Sequence, residues 1–187
     1  MTTFVALIRG INVGGRTIPM KELKELHEAS GLKDVVTYIQ SGNVVFSSDE
    51  EDAAQITRRI EDSFAGRFGF RAKVMLRSAA EFSEIVARNP FNNQPDKETK
   101  WVVVMFMAAR PESATLEDLH KKYSGPEEYY LVGQELYIYY PNGIGRSKLS
   151  GALIEKTLKT AGTARNWNTI LQLQKMMQRQ DSASNEE

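Results

Sequence analysis

Three stretches of this chain gather side chains suited to holding an anion. The first is Arg9-Gly10-Ile11-Asn12-Val13-Gly14-Gly15-Arg16, two guanidinium groups and an amide set around three glycines. Backbone N–H groups freed by glycine can cradle a negative charge, and a helix opening just after the loop adds favourable potential. Arg9 and Arg16 could contribute charge-assisted hydrogen bonds. The spacing matches neither G-x-x-x-x-G-K-[ST] nor G-x-G-x-x-G, and the same glycines would equally serve a tight loop needing positive φ. The second stretch, Ser41-Gly42-Asn43, offers a hydroxyl and an amide, although Gly and Asn are also ordinary turn residues. The third is Arg165-Asn166-Trp167-Asn168, where a guanidinium, two amides and an indole could grip a phosphate and stack on a base or sugar. The alternative there is structural: Trp167 as a core anchor, Asn168 shaping the entry to the last helix, Arg165 paired with an acid. The candidate ligand-binding set is therefore Arg9, Asn12, Gly14, Gly15, Ser41, Asn43, Arg165 and Asn166.

Other chemistry is thin. Gly143-Ile144-Gly145-Arg146-Ser147-Lys148 is a further candidate anion site, or a flexible connection with an N-cap at Ser147. His27 and His120 fall late in predicted helices among charged neighbours and read as surface residues. With no cysteine in the chain, disulfides, thiolate nucleophiles and Cys-ligated zinc are excluded. No Ser-His-Asp set, metal-spaced cluster or nucleophile elbow is present. No metal, cofactor or catalytic residue is assigned, and carboxylates such as Asp52 and Glu61 read as solvated helix surface. An enzyme built from these residues would depend on Arg, Asn, Ser or Lys electrostatics. Tyr129, Tyr130, Tyr137, Tyr139 and Tyr140 crowd one hairpin, where base stacking and cross-strand packing compete; the nearby glutamates favour packing.

The elements that must position these residues follow from periodicity. Phe4–Ile8 is a short apolar run that suits a strand buried on both faces. Pro19 can open a helix carrying Met20, Leu23 and Leu26, with Gly31 placed to close it. Residues 36–40 and 44–47 read as a hairpin around the Gly/Asn turn. Capping boxes are expected at Ser48–Glu51, Ser78–Glu81 and Thr169–Gln172. Strands are expected at 71–76, 101–107, 129–132, 135–140 and 163–168, and helices after 48, 78, 115, 147 and 169. Each half thus reads β-α-β-β-α-β plus a final helix: an α+β fold made of two ferredoxin-like units with antiparallel sheets, expected strand order 4-1-3-2. The expected organisation is a first half at 1–90, a linker at 91–100, a second half at 101–180 and a disordered tail at 181–187. In that order the loop after strand 1 and the turn after strand 2 share one end of the sheet.

The glycine loop, Tyr38-Ile39-Gln40-Ser41-Gly42-Asn43-Val44-Val45-Phe46, and Thr163-Ala164-Arg165-Asn166-Trp167-Asn168-Thr169 together resemble the bacterial family called domain of unknown function 1697. The resemblance runs from about the first strand to the last helix. It implies an α+β fold with two ferredoxin-like halves and brings no substrate, reaction or cofactor with it.

Composition bounds the partners. The chain has 187 residues, with 24 basic and 24 acidic side chains that cancel, so no global field attracts nucleic acid or an anionic membrane. No secretory or membrane-spanning segment is visible, and a cytoplasmic setting is expected. The expected function is binding of a small anionic or phosphorylated ligand. The alternatives are an enzyme acting on such a ligand and a protein–protein interaction module; RNA binding ranks last, and the oligomeric state is open.

Overall fold

The computed structural model describes residues 1–15 and 17–184. Arg16, with the charge expected of it, and the last part of the expected tail, 185–187, lie outside the described residues.

Fourteen principal elements are present among the described residues. The strands are β1 (Thr2–Ile8), β2 (Lys33–Tyr38), β3 (Asn43–Ser48), β4 (Val74–Ser78), β5 (Val102–Met107), β6 (Glu128–Val132), β7 (Glu135–Tyr139) and β8 (Gly162–Asn166). The helices are α1 (Met20–Ala29), α2 (Ala53–Phe68), α3 (Ala79–Ala87), α4 (Ser113–Lys122), α5 (Gly151–Leu158) and α6 (Trp167–Ser184). They build an α+β protein with two four-stranded sheets, ordered β2-β3-β1-β4 and β6-β7-β5-β8. Every strand pair is antiparallel.

The chain forms two compact units. The first holds residues 1–84 and returns at Gln172; the second holds residues 85–171. Residues 91–100, read from sequence as a linker, belong to the second unit, where Phe91 is buried and Lys97 pairs with Glu128. Helix α6 continues through Ser184, past the point where the sequence suggested a tail.

In the first unit β1 is buried on both faces, as its apolar run requires. Phe4, Ala6 and Ile8 join Leu23, Leu26, Ile56, Ile60 and Phe64 in one core. Val5 and Leu7, on the other face by strand alternation, are also fully buried. From α6, Gln180 donates a 2.8 Å hydrogen bond to the Ser47 hydroxyl on β3. In the second unit Val103, Met105 and Met107 share a core with Leu119, Ile154 and Leu158. On the opposite face the Tyr137 hydroxyl donates to the Ile85 carbonyl at 2.6 Å. Phe91 packs on Tyr139 there, and the Lys97 ammonium lies 4.9 Å from the Tyr139 ring centre. Tyr137 and Tyr139 share a face as expected, and both are buried, while Tyr130 on that face is exposed.

Helix entries correct the sequence reading in four places. At α4 the helix begins at Ser113, so Thr115, expected to open it, sits in the first turn and donates its hydroxyl to the Glu112 carbonyl. At α2 the cap is Asp52, whose carboxylate accepts from Ala54 and Gln55 N–H. Ser48 is still strand there, and its hydroxyl accepts only from Glu50 N–H. At α6 Asn166 caps by accepting from Thr169 N–H at 2.9 Å, which puts Thr169 inside the first turn. At α5 Ser150 caps; Ser147, expected there, closes a turn onto Leu149 N–H instead. The box at Ser78 and Glu81 forms as expected, with each side chain accepting the other's backbone N–H.

Two residues read as surface are interior. Glu61 is buried; it accepts from Val74 N–H at 3.1 Å and lies 3.5 Å from the Lys73 ammonium. His27 is wholly buried, against the Phe46 ring. Its Nδ1 lies 2.8 Å from the Leu23 carbonyl, so that nitrogen carries the proton, and Nε2 is enclosed without a partner. Burial pushes the imidazole down to about 4, only partly offset by the Leu23 bond. The folded value lies below the unfolded one, so the unfolded chain takes up the proton first and stability falls as pH falls. Between pH 6.5 and 4 this histidine should cost about 3 kcal/mol of stability. Urea unfolding at pH 7, 5.5 and 4 checks this: His27→Leu should flatten the acid loss, and an unchanged pH profile in that variant would contradict it.

Gly42 produces a second expectation. Its φ is 74°, and a Cβ there would stand 2.9 Å from the Ile8 carbonyl oxygen, a backbone atom that cannot swing away. Gly42→Ala should therefore destabilise by about 2–4 kcal/mol through strain and overlap together. Chemical denaturation measures it, and a loss under about 0.5 kcal/mol, the range of ordinary surface substitutions, would contradict the packing described.

Candidate functional site

β1 and β2 each pair antiparallel with β3, so both leave the sheet at the same end. Two backbone bonds close that end: Ile8 N–H to the Gly42 carbonyl at 2.8 Å and Arg9 N–H to the Lys73 carbonyl at 2.9 Å. The second unit repeats both, Met107 N–H to Gln134 at 2.9 Å and Ala108 N–H to Ala161 at 2.8 Å. From matched starting points the chain then behaves differently. Residues 108–112 take the second unit directly from β5 into α4, without a glycine. The first unit uses residues 9–19 for the same step, more than twice the length.

That longer loop has an anchored base and an exposed tip. Ile11 and Ile18 are buried, and the Asn12 side-chain oxygen accepts from Ile18 N–H at 2.7 Å, tying the two ends together. Left-handed φ recurs along it, at Gly10 (74°), Asn12 (56°), Gly14 (63°) and Gly15 (90°). A Cβ on Gly10, Gly14 or Gly15 would meet open space, so these glycines answer to backbone conformation rather than to crowding. Val13, Gly14 and Gly15 are exposed, and their N–H groups make no hydrogen bond among the described residues. The Asn12 Nδ2 is enclosed and has no partner among them either.

The neighbouring turn completes the end. The Asn43 amide is fully buried and donates to the Tyr38 carbonyl at 3.1 Å and the Ser41 hydroxyl at 2.9 Å, which commits it to closing the hairpin. Ser41 is half-buried and Arg9 is exposed. Ile39 stands at φ 47° while half its side chain meets solvent. A β-branched residue in the left-handed region is a true outlier, and such strain collects at functional sites. Nothing in the sequence announces it, because isoleucine argues for extended backbone. Lys73 also arrives here, through β4, and was not among the sequence candidates; pairing β4 beside β1 is the only signal that places it.

Six of the eight candidates thus gather at one end of the first unit: Arg9, Asn12, Gly14, Gly15, Ser41 and Asn43. Arg165 and Asn166 belong to the second unit. There Arg165 is buried and donates to the Thr163 hydroxyl at 2.7 Å and the Ala164 carbonyl at 2.8 Å. Burial lowers its guanidinium to about 10. Asn166 is the α6 cap, and Trp167 is buried. At 143–148, residues Ile144–Arg146 form one short turn, and Gly143 packs against the Trp101 ring. No helix among the described residues is long and apolar enough to cross a membrane. No group of three or more His, Asp or Glu side chains among them could hold a metal ion.

Comparison with known proteins adds the family. A solved structure titled as that of conserved bacterial protein SP0830 from Streptococcus pneumoniae is similar, with a TM-score of 0.72 and 25% identity. The match covers 95% of this chain and 99% of that one. No curated protein matches. The model of a family described as protein of unknown function, DUF1697, matches residues 1–137, most of the chain. The chain belongs to that family, whose function is unknown.

Proposed function

We propose that the glycine-loop end of the first unit binds a small anionic or phosphorylated ligand. The loop length carries this reading. Two units of one strand order close the same end with the same pair of backbone bonds, yet only the first adds a long, glycine-rich excursion. A connection longer than its task requires, held on a rigid sheet, is where binding residues are commonly placed. The N–H groups of exposed residues 13–15 and the Asn12 Nδ2, which has no partner among the described residues, supply donors, and Arg9 supplies charge. Consecutive donors in left-handed and turn conformations form a concavity suited to an anion. Ser41 and Asn43 shape the neighbouring turn. Arg165, bonded to Thr163 and Ala164, and Asn166, the α6 cap, belong to the second unit and supply no ligand contact in this reading.

The comparison assumes that the units are two ferredoxin-like copies. Arg77 and Arg165 support it: each follows the same place in the sheet register, opposite Val5 and Val104, and each donates 2.8 Å to the carbonyl of the preceding residue. The next residue, Ser78 or Asn166, accepts the N–H of the residue three further on, Glu81 or Thr169.

Melting temperature against inorganic phosphate, nucleotides and sugar phosphates tests the site. A ligand at about a hundredfold its Kd adds about 2.7 kcal/mol, a shift of several degrees. Arg9→Ala should remove the shift, as should replacing residues 9–19 with the sequence of 108–112, while circular dichroism stays unchanged. No shift across the panel, or a shift that survives the loop replacement, would sink the proposal.

A further inference from the structure

The second unit carries a different pocket on its helix-covered side. It has a volume of about 300 Å³ and includes His120, Tyr123, Glu127, Glu128, Tyr129 and Tyr130 in its wall. The two adjacent glutamates differ in charge compensation. Glu128 pairs with Lys97. Glu127 is more deeply buried and has no cationic partner among the described residues. Its carboxylate instead accepts the Tyr123 hydroxyl. Burial works against its ionisation, but hydrogen bonds from Ser147 and Tyr123 outweigh it and hold the carboxyl below its ordinary value.

The carboxylate is thus kept ionised by neutral donors alone, which leaves its charge uncompensated and a cation as the partner of opposite sign. Gly125 shows how closely this corner is built: a Cβ there would fall 2.0 Å from the Tyr123 hydroxyl and 2.5 Å from a Glu127 carboxylate oxygen. Independently, Tyr129 lines the same pocket with 8% of its surface exposed, and its hydroxyl has no partner among the described residues. The His120 ring stacks on Tyr129 at 4.7 Å and 14°, closing one side. Tyr123 lines the pocket beside them, half-buried, whereas the Tyr130 ring turns to the other face of β6, against Phe91.

We infer that this pocket is a binding site for a protonated alkylamine, its ammonium group on the Glu127 carboxylate and its carbon chain against the tyrosine rings. Carboxylate and aromatic faces together select a cation over a neutral molecule of equal size, because the charge-assisted bond weakens and the cation–π attraction is lost without the charge. Glu128 is spoken for by Lys97, so Glu127 provides the charge that discriminates. This site is separate from the glycine loop, and its chemistry is of the opposite sign.

The test uses the full chain and n-butylammonium as probe, with butan-1-ol as its neutral counterpart, followed by tyrosine fluorescence and by NMR of the His120 ring. Saturable binding of butylammonium is expected, at least about tenfold tighter than the alcohol, the worth of one charge-assisted contact. Glu127→Gln should abolish the preference. His120→Ala, at an exposed position whose ring closes one side of the pocket, should weaken binding while leaving the fold intact, and it serves should Glu127→Gln fail to fold. Equal responses to amine and alcohol would overturn the inference. So would no saturable response to the amine in the wild-type chain, or undiminished amine binding in His120→Ala.

Discussion

Burial of β1 and β5 on both faces is the constraint from which the rest follows. A strand covered above and below must satisfy every backbone group through its neighbours, so each is flanked by two antiparallel strands, β3 and β4 around β1, and β7 and β8 around β5. The chain can then depart only at the strand ends. Where β1 ends, the last ladder bonds pass to Gly42 and Lys73; where β5 ends, they pass to Gln134 and Ala161. Everything beyond those bonds is free to differ between the units, and that is where they do differ.

The second unit therefore acts as an internal reference for the first. It shows what the strand order alone demands: a short exit at 108–112 and a tight hairpin around Gly133. Against it the first unit displays a long glycine-rich loop, a wider turn and, within that turn, a left-handed isoleucine. The strain at Ile39 costs roughly 1–3 kcal/mol and persists only where the surrounding sheet imposes it, whereas the glycines take left-handed φ without strain. The rigid ladder beneath, with Asn43 buried and twice hydrogen-bonded, supplies that imposition.

Much of the scaffold was legible in the residues. The apolar runs at β1 and β5, the Gly-centred hairpins and the Ser78–Glu81 box all declare themselves locally, and strand order follows from their sequence. Helix starts were harder, because a hydroxyl followed by an acid marks a cap only once the preceding strand has ended; β3 runs through Ser48, and Asp52 takes the role. His27 was misread because charged neighbours surround it in sequence, although its spacing from Leu23 puts it on their shared buried face. The loop glycines were visible, but the surplus length of the loop emerged only when the two units were laid against one register. Glu127 and Tyr129 were legible as residue types yet not as a pocket, since their meeting depends on how α4 lies over β6.

The most direct measurement of the binding site is an amide NMR titration of the full chain with inorganic phosphate at constant ionic strength. Saturable shifts confined to the backbone amides of Val13, Gly14 and Gly15 and to the side-chain amide of Asn12 are expected. Shifts that never saturate, or that scatter over exposed lysines away from this loop, would contradict an anion site at the end of the first sheet.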